Sequence, residues 1–272
     1  MHRAYPLTGL VSALALTWTA HVYAEDAAAP PAETGEQSEE ALAKKTQNPV
    51  SDLVSIPFQN NTNFGFAGGT QNVLNVQPVV PISLSDDWLL INRAIFPIIW
   101  QPETVPGAGA DFGLGDATYS AFFSPQGSPD FIWGAGPILL LPTATSDSLA
   151  FGGEFGAGPT AVALTMQGPW VIGALGSQAW SFDGDVSFTS LQPFINYNIP
   201  GGWFLVTAPL ITANWKADAD NTWTIPVGGG FGKVLKLGVP FNVGAQAYWN
   251  AMKPDIGPDW SLRLVISVLL PR

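Results

Sequence analysis

From Asn48 onward the chain repeats one pattern, runs of about ten residues in which polarity alternates position by position, bounded by clusters of Gly, Pro, Asp and Asn. Twelve such segments occur, at roughly 52–60, 72–84, 88–100, 114–124, 131–141, 155–166, 170–181, 189–198, 203–214, 223–233, 239–249 and 260–270. A period of two is the period of a β-strand, and no stretch beyond Asn48 is long and apolar enough for a transmembrane helix. The connections alternate in length. Ser85-Asp86-Asp87, Pro125 to Asp130, Gln167-Gly168-Pro169, Pro200-Gly201-Gly202 and Leu235 to Gly238 are short, whereas 61–71, 101–113, 142–154, 182–188, 215–222 and 250–259 are long. An even strand count with short turns at one end and longer loops at the other predicts an all-β, antiparallel, up-and-down transmembrane β-barrel of about twelve strands. Its backbone diameter is expected to be about 24 Å.

Tryptophan placement sharpens the expectation. Trp88, Trp133, Trp170 and Trp203 begin strands just after short turns, and Trp100, Trp180, Trp215, Trp223, Trp249 and Trp260 border long loops. Indole is amphipathic and settles at headgroup level, so these ten residues are expected to form two membrane girdles. Trp88 and Trp100, and likewise Trp203 and Trp215, lie an even twelve positions apart, which puts each pair on one face of its strand. At about 3.3 Å per residue and a tilt near 40°, such a pair spans roughly 25–30 Å along the membrane normal, close to the apolar band of these barrels.

Parity separates the two faces. In 260–270 the Trp260 face carries Leu262, Leu264, Ile266, Val268 and Leu270, and the opposite face carries Ser261, Arg263 and Ser267. In 239–249 the Trp249 face is Val239, Phe241, Val243, Ala245 and Ala247, opposed by Asn242, Gly244, Gln246 and Tyr248. The pattern predicts a lipid-facing outside and a wet lumen. Asn92, on the Trp face of its strand, and the strand prolines Pro78, Pro97, Pro137, Pro159, Pro209 and Pro226 stand against a strict rule. Charges are nearly absent from strand interiors. Arg93 and Arg263 take the inward parity, as they must, because an arginine facing lipid at mid-depth costs about 2–4 kcal/mol. Asp116, and Glu154 at a strand edge, share that parity. They are candidates to pair with the arginines or to line a constriction, either as a selectivity element or as a lumenal salt bridge.

Composition limits the chemistry. Residues are 47% hydrophobic and only 11% charged, with no Cys, less than half the charge of an ordinary soluble domain. Residues 1–24 read as a signal peptide: Arg3, an apolar run from Leu7 to Ala20, and Val22-Tyr23-Ala24 before the cleavage point. Residues 25–48, rich in Ala, Pro and Glu, are expected to be a disordered acidic linker, leaving 49–272 as the barrel. The leader directs export, here to the outer membrane of a Gram-negative cell. His2 and His21 both fall within it, so the mature chain has neither His nor Cys. That removes His-assisted serine hydrolysis, thiol catalysis and the usual zinc ligands. No enzyme, metal or cofactor is expected. A net charge of −11 disfavours a nucleic-acid partner. Membrane lipid and small solutes are the expected partners.

The remaining motifs are weak. Gly228-Gly229-Gly230-Phe231-Gly232-Lys233 ends in Gly-Lys, but Val234 stands where a P-loop needs Ser or Thr. Asp–Asp chemistry is open to the acid pairs Asp183 with Asp185 and Asp218 with Asp220, but such adjacent loop acids more often solvate a loop or weakly bind cations.

Several longer motifs resemble a known family. They are Asn48-Pro49, Asp52-Leu53, Pro57-Phe58-Gln59-Asn60-Asn61 and Gln77-Pro78, then Gly113-Leu114-Gly115-Asp116, Phe122-Phe123-Ser124-Pro125 and Leu141-Pro142-Thr143-Ala144-Thr145. Gly156-Ala157-Gly158-Pro159-Thr160, Gly168-Pro169-Trp170, Leu191-Gln192-Pro193-Phe194 and Trp223-Thr224-Ile225-Pro226-Val227 complete them. The chain resembles, from Asn48 to Arg272, the Gram-negative outer-membrane barrels named for a phenol-degradation (MetA-like) pathway or as transporters, some of which carry the label neuromedin U. The resemblance implies a barrel that passes small, aromatic or hydrophobic compounds, and it supplies no catalytic residues. The other class left open is a structural barrel with a plugged lumen, whose loops or N-terminal segment bind a partner.

Overall fold

Burial alternates along the strands as the polarity pattern requires. Between Trp88 and Gln101, the residues Leu89, Ile91, Arg93, Ile95, Pro97, Ile99 and Gln101 are buried, while Trp88, Phe96 and Trp100 are exposed. The computed structural model describes residues 39–127 and 131–270; the expected signal peptide and residues 25–38 of the expected linker lie outside them.

The wall consists of twelve antiparallel strands. They are β1 (Val54–Phe66), β2 (Gly69–Val76, continuing as Val79–Ser83), β3 (Trp88–Gln101) and β4 (Asp111–Leu114, continuing as Ala117–Pro125). Then follow β5 (Ile132–Leu141), β6 (Gly156–Gln167), β7 (Trp170–Ser181) and β8 (Ser187–Ile199). The last are β9 (Trp203–Thr207, continuing as Ile211–Asn214), β10 (Trp223–Leu237), β11 (Val239–Met252) and β12 (Trp260–Leu270). Each pairs with its sequence neighbours, and β12 closes the cylinder on β1 from Val54 opposite Leu270 to Phe64 opposite Trp260. Closure removes every free strand edge, which a bilayer demands because it offers no water to an unpaired N–H.

Three breaks make one strand read as two. Two of them carry proline, at Pro78 in β2 and Pro209 in β9, and Pro226 sits at a register shift against β11. Proline has no N–H to give a ladder, so the interruptions fall where the sequence cannot pair. Asn92 is also explained. It faces outward, but Tyr119 donates to its Oδ1 at 2.6 Å and its amide donates to the Val80 carbonyl at 3.2 Å.

Two expectations need correction. The first connection is no long loop: β1 runs to Phe66 and reverses through Ala67-Gly68, both at positive φ, as a two-residue hairpin turn requires. The polar run Asn60 to Asn63 resembles a loop because it is polar. It stays in the ladder because Asn60 and Asn72 exchange side-chain bonds at 2.7 and 3.0 Å and Asn63 donates to Gln71 at 2.9 Å.

The second concerns the linker, which is ordered from Glu39. A short helix, α1 (Glu39–Lys45), sets Leu42 and Ala43 on Val234 of β10, and Glu40 accepts from the Gly201 N–H at 3.1 Å. The chain then crosses the barrel interior before entering β1. Gln47 and Asn198 exchange two amide bonds at 2.7 and 2.9 Å, Lys45 pairs with Asp52 at 3.1 Å, and Val50 packs at Gly134 of β5, across the cylinder from β1. Composition alone gives no warning of this, since the few apolar residues of 42–53 find their burial only inside the finished barrel.

Candidate transport path through the barrel

The interior has two sides of different chemistry. Along β11, β12, β1 and β2 the inward positions are mainly amides and hydroxyls: Asn242, Gln246, Ser267, Gln59, Asn61, Gln71, Asn75 and Gln77 are all buried. Asn242 and Ser267 face each other across β11 and β12 and keep buried polar atoms with no protein partner. From β3 to β9 aliphatic and aromatic side chains predominate inside, interspersed with Arg93, Thr118, Ser120, Ser124, Thr160, Ser190, Gln192 and Asn196. Leu89, Ile91, Phe122, Val162, Leu164, Val171, Leu175, Phe194, Phe204 and Val206 form one cluster around Val50 toward the end where the chain enters and leaves. At the opposite end Val73, Ile95, Ile99, Ile138, Leu140, Ala179 and Phe188 form another, around Leu149 and Phe151 of the loop 142–155. The wet lumen expected from parity is thus a lumen with one mainly apolar flank. Strands such as β6, with alanine and proline outside and Val162, Leu164 and Met166 inside, are apolar on both faces, so parity of polarity says nothing about them.

Glycines accommodate this filling. Phe194 lies where a Cβ on Gly173 would come within 2.5 Å of its ring, and Phe204 covers Gly232 at 2.3 Å by the same measure.

Both arginines lie inside. Arg263 donates to the Ala208 carbonyl at 2.9 Å, to Gln246 at 3.2 Å and to Asn61 at 3.2 Å, with its guanidinium 4.6 Å from the Tyr248 ring. Arg93 donates to Gln77. Asp116 pairs with neither. It sits at the third strand break, in β4, and its carboxylate accepts the backbone N–H groups of Ala144 (3.1 Å), Phe151 (2.6 Å) and Gly153 (3.1 Å). Glu154 is exposed in the same loop. Four residues of one parity therefore do three different things, because parity gives a face and not a partner. The loop residues Leu149, Ala150 and Phe151 escaped the sequence analysis. Their signal is an apolar triplet followed by Gly152-Gly153 inside a polar loop.

At the same mouth Asp183 is held by its own loop. The Ser181 hydroxyl and the Asp185 N–H donate to its carboxylate, which holds its pKa below the ordinary value.

On the outside, Trp88, Trp100, Trp133, Trp170, Trp180, Trp203, Trp215, Trp249 and Trp260 are exposed, and Trp223 is half-buried with its ring edge-on to Trp215 at 5.5 Å. They gather at the two rims. Trp88 meets Trp133 at 6.2 Å and Trp170 meets Tyr197 at 4.7 Å at one end; Trp100 meets Phe112 at 6.0 Å and Trp260 stacks on Phe64 at 4.0 Å at the other. Lys233 adds a cation over Trp203 at 5.0 Å.

No protein-family model matches the chain, and no curated protein matches it. Solved structures do match. The COG4313 outer membrane channel from Pseudomonas putida F1 superposes with a TM-score of 0.61 at 16% identity, over 80% of this chain and 94% of that one. The CymD monoaromatic hydrocarbon channel gives 0.46 at 8% identity, over 85% and 90%. Outer membrane phospholipase A from Escherichia coli gives 0.45 at 11% identity, over 81% and 96%. At such identities the likeness is one of architecture: the chain has the closed antiparallel barrel fold found in Gram-negative outer-membrane channels.

Proposed function

We propose that this barrel is a passive outer-membrane channel for small apolar or aromatic molecules, inserted with both chain ends on the periplasmic side, and that it belongs to the MetA-like transporter family its motifs resemble. The observation that carries this reading is the predominantly apolar flank of the interior from β3 to β9, faced by an amide-rich wall. A lumen built only for hydrated solutes is polar throughout. A ring entering this one leaves water for an apolar surface, while hydroxyl or carbonyl substituents find amides opposite. Arg93 and Arg263 bias the path toward neutral and anionic solutes, and the tryptophan rims anchor it in the bilayer. The reading assigns no catalysis.

Flux into liposomes carrying the protein tests this directly. Neutral aromatics are expected to enter about tenfold faster than sugars of similar size, the factor that burying a few ring carbons provides. Equal rates for both would remove the apolar preference. No flux of any solute would favour the plugged structural barrel, toward which the interior course of residues 42–53 points.

A further inference from the structure

We infer that the loop 142–155 is the constriction of this channel, and that Asp116 is the positioning residue that clasps it across the mouth opposite the Val54 and Leu270 ends of β1 and β12. The inference rests on the channel reading.

Surface connections ordinarily run outside a fold, where water satisfies their backbone. This one turns inward. Leu149, Ala150 and Phe151 are buried, and Leu149 and Phe151 join a cluster fed by β2, β3, β5, β7, β8 and β9, which lie on opposite sides of the cylinder. The Phe151 ring meets Phe188 edge-on at 4.8 Å. The loop therefore bridges the lumen and does not merely line one wall.

What holds it there is built into β3 and β4. The three N–H donors to the Asp116 carboxylate come from both limbs of the loop, Ala144 on the outgoing side and Phe151 and Gly153 on the return. One side chain thus closes the loop at its neck. A buried carboxylate is costly unless several donors meet it, and here three backbone donors do. Secondary ties lie above it. Gln101 donates to the Ser148 carbonyl at 2.8 Å, and the Ser146 and Ser148 hydroxyls donate to Asp111.

The backbone is cut to admit the loop. A Cβ on Gly113 would stand 2.0 Å from the Thr145 hydroxyl, and one on Gly115 would stand 2.7 Å from Ile99 and 3.2 Å from the Leu149 carbonyl. Gly152, at φ +99°, reverses the chain so close to Val186 that a Cβ would lie 2.4 Å from its methyl. Break, glycine notch, carboxylate and reversal serve one placement.

Because the chain contains no Cys, an Ala150→Cys substitution gives a single thiol at the buried tip. In proteoliposomes, a water-soluble maleimide is expected to label it slowly with Asp116 intact, and about tenfold faster with Asp116→Asn, which loses the charged acceptor. Both Asp116→Asn and a barrel with residues 146–153 replaced by Gly-Gly should admit larger solutes than the native protein. Excision leaves the wall strands whole, so it stands if the point variant fails to assemble. Equal labelling in the two backgrounds would overturn the clasp. Faster labelling with an unchanged size limit in both variants would overturn the constriction. Flux through the native barrel reports on the channel reading alone, and labelling on the clasp alone.

Discussion

Arg263 shows how a cation can sit inside a barrel without a carboxylate. Its described partners are neutral: the Ala208 carbonyl, Gln246, Asn61 and the face of Tyr248. Each acceptor has a second donor, since Gln192 also reaches Ala208, Tyr248 reaches Gln246 and Gln59 reaches Asn61. Removing the guanidinium therefore orphans none of them, and it relieves the desolvation of a buried charge. Arg263→Met is accordingly expected to change unfolding stability in urea by less than about 1 kcal/mol. It should nonetheless move the reversal potential of a salt gradient toward cations, and Arg93→Glu should move it further. A large loss of stability would mean that Arg263 is a structural strut, and unchanged potentials would take both arginines out of the selectivity argument.

Among the elements, the wall strands differ in how much side chain they tolerate. A Cβ on Gly136 of β5 would fall 1.9 Å from the Ala121 carbonyl, a backbone atom that cannot yield, and one on Gly173 of β7 would meet the Phe194 ring and the Ala163 carbonyl at 2.5 and 2.6 Å. At Gly176 the nearest atom is the Leu191 methyl at 3.6 Å. Alanine at 136 or 173 is expected to cost about 1–3 kcal/mol, the usual penalty for overpacking, whereas Gly176→Ala should be neutral within about 0.5 kcal/mol. Denaturant unfolding followed by heat-modified gel mobility measures all three. A neutral Gly136→Ala would show that the strand pair relaxes more freely than its geometry implies.

For the whole molecule, the two aromatic rims are expected to set the position of the barrel in the bilayer. With the two rims about 25 Å apart along the normal, lipids brominated near the headgroup should quench the exposed tryptophans strongly, and lipids brominated at the chain ends should quench them weakly. Uniform quenching at all depths would contradict the girdles. The sequence carried this architecture because a strand in a bilayer writes its environment into its own alternation: Trp88 to Trp100, or Trp260 to Leu270, can be assigned to an outer face without knowing any neighbour. It carried the inward placement of Arg93 and Arg263 for the same reason. What it could not carry were contacts between segments remote in the chain. The Asn60 to Asn63 run remains strand because it pairs with β12 on one side and β2 on the other, where Asn72 and Gln71 take up its side chains. Residues 42–53 become ordered only inside a closed cylinder, and Asp116 meets the loop 142–155 only after β4 and β5 have paired. Local periodicity determined which way each strand faces; the tertiary structure alone decided what fills the space they enclose, because that filling is made of pairings that no single strand encodes.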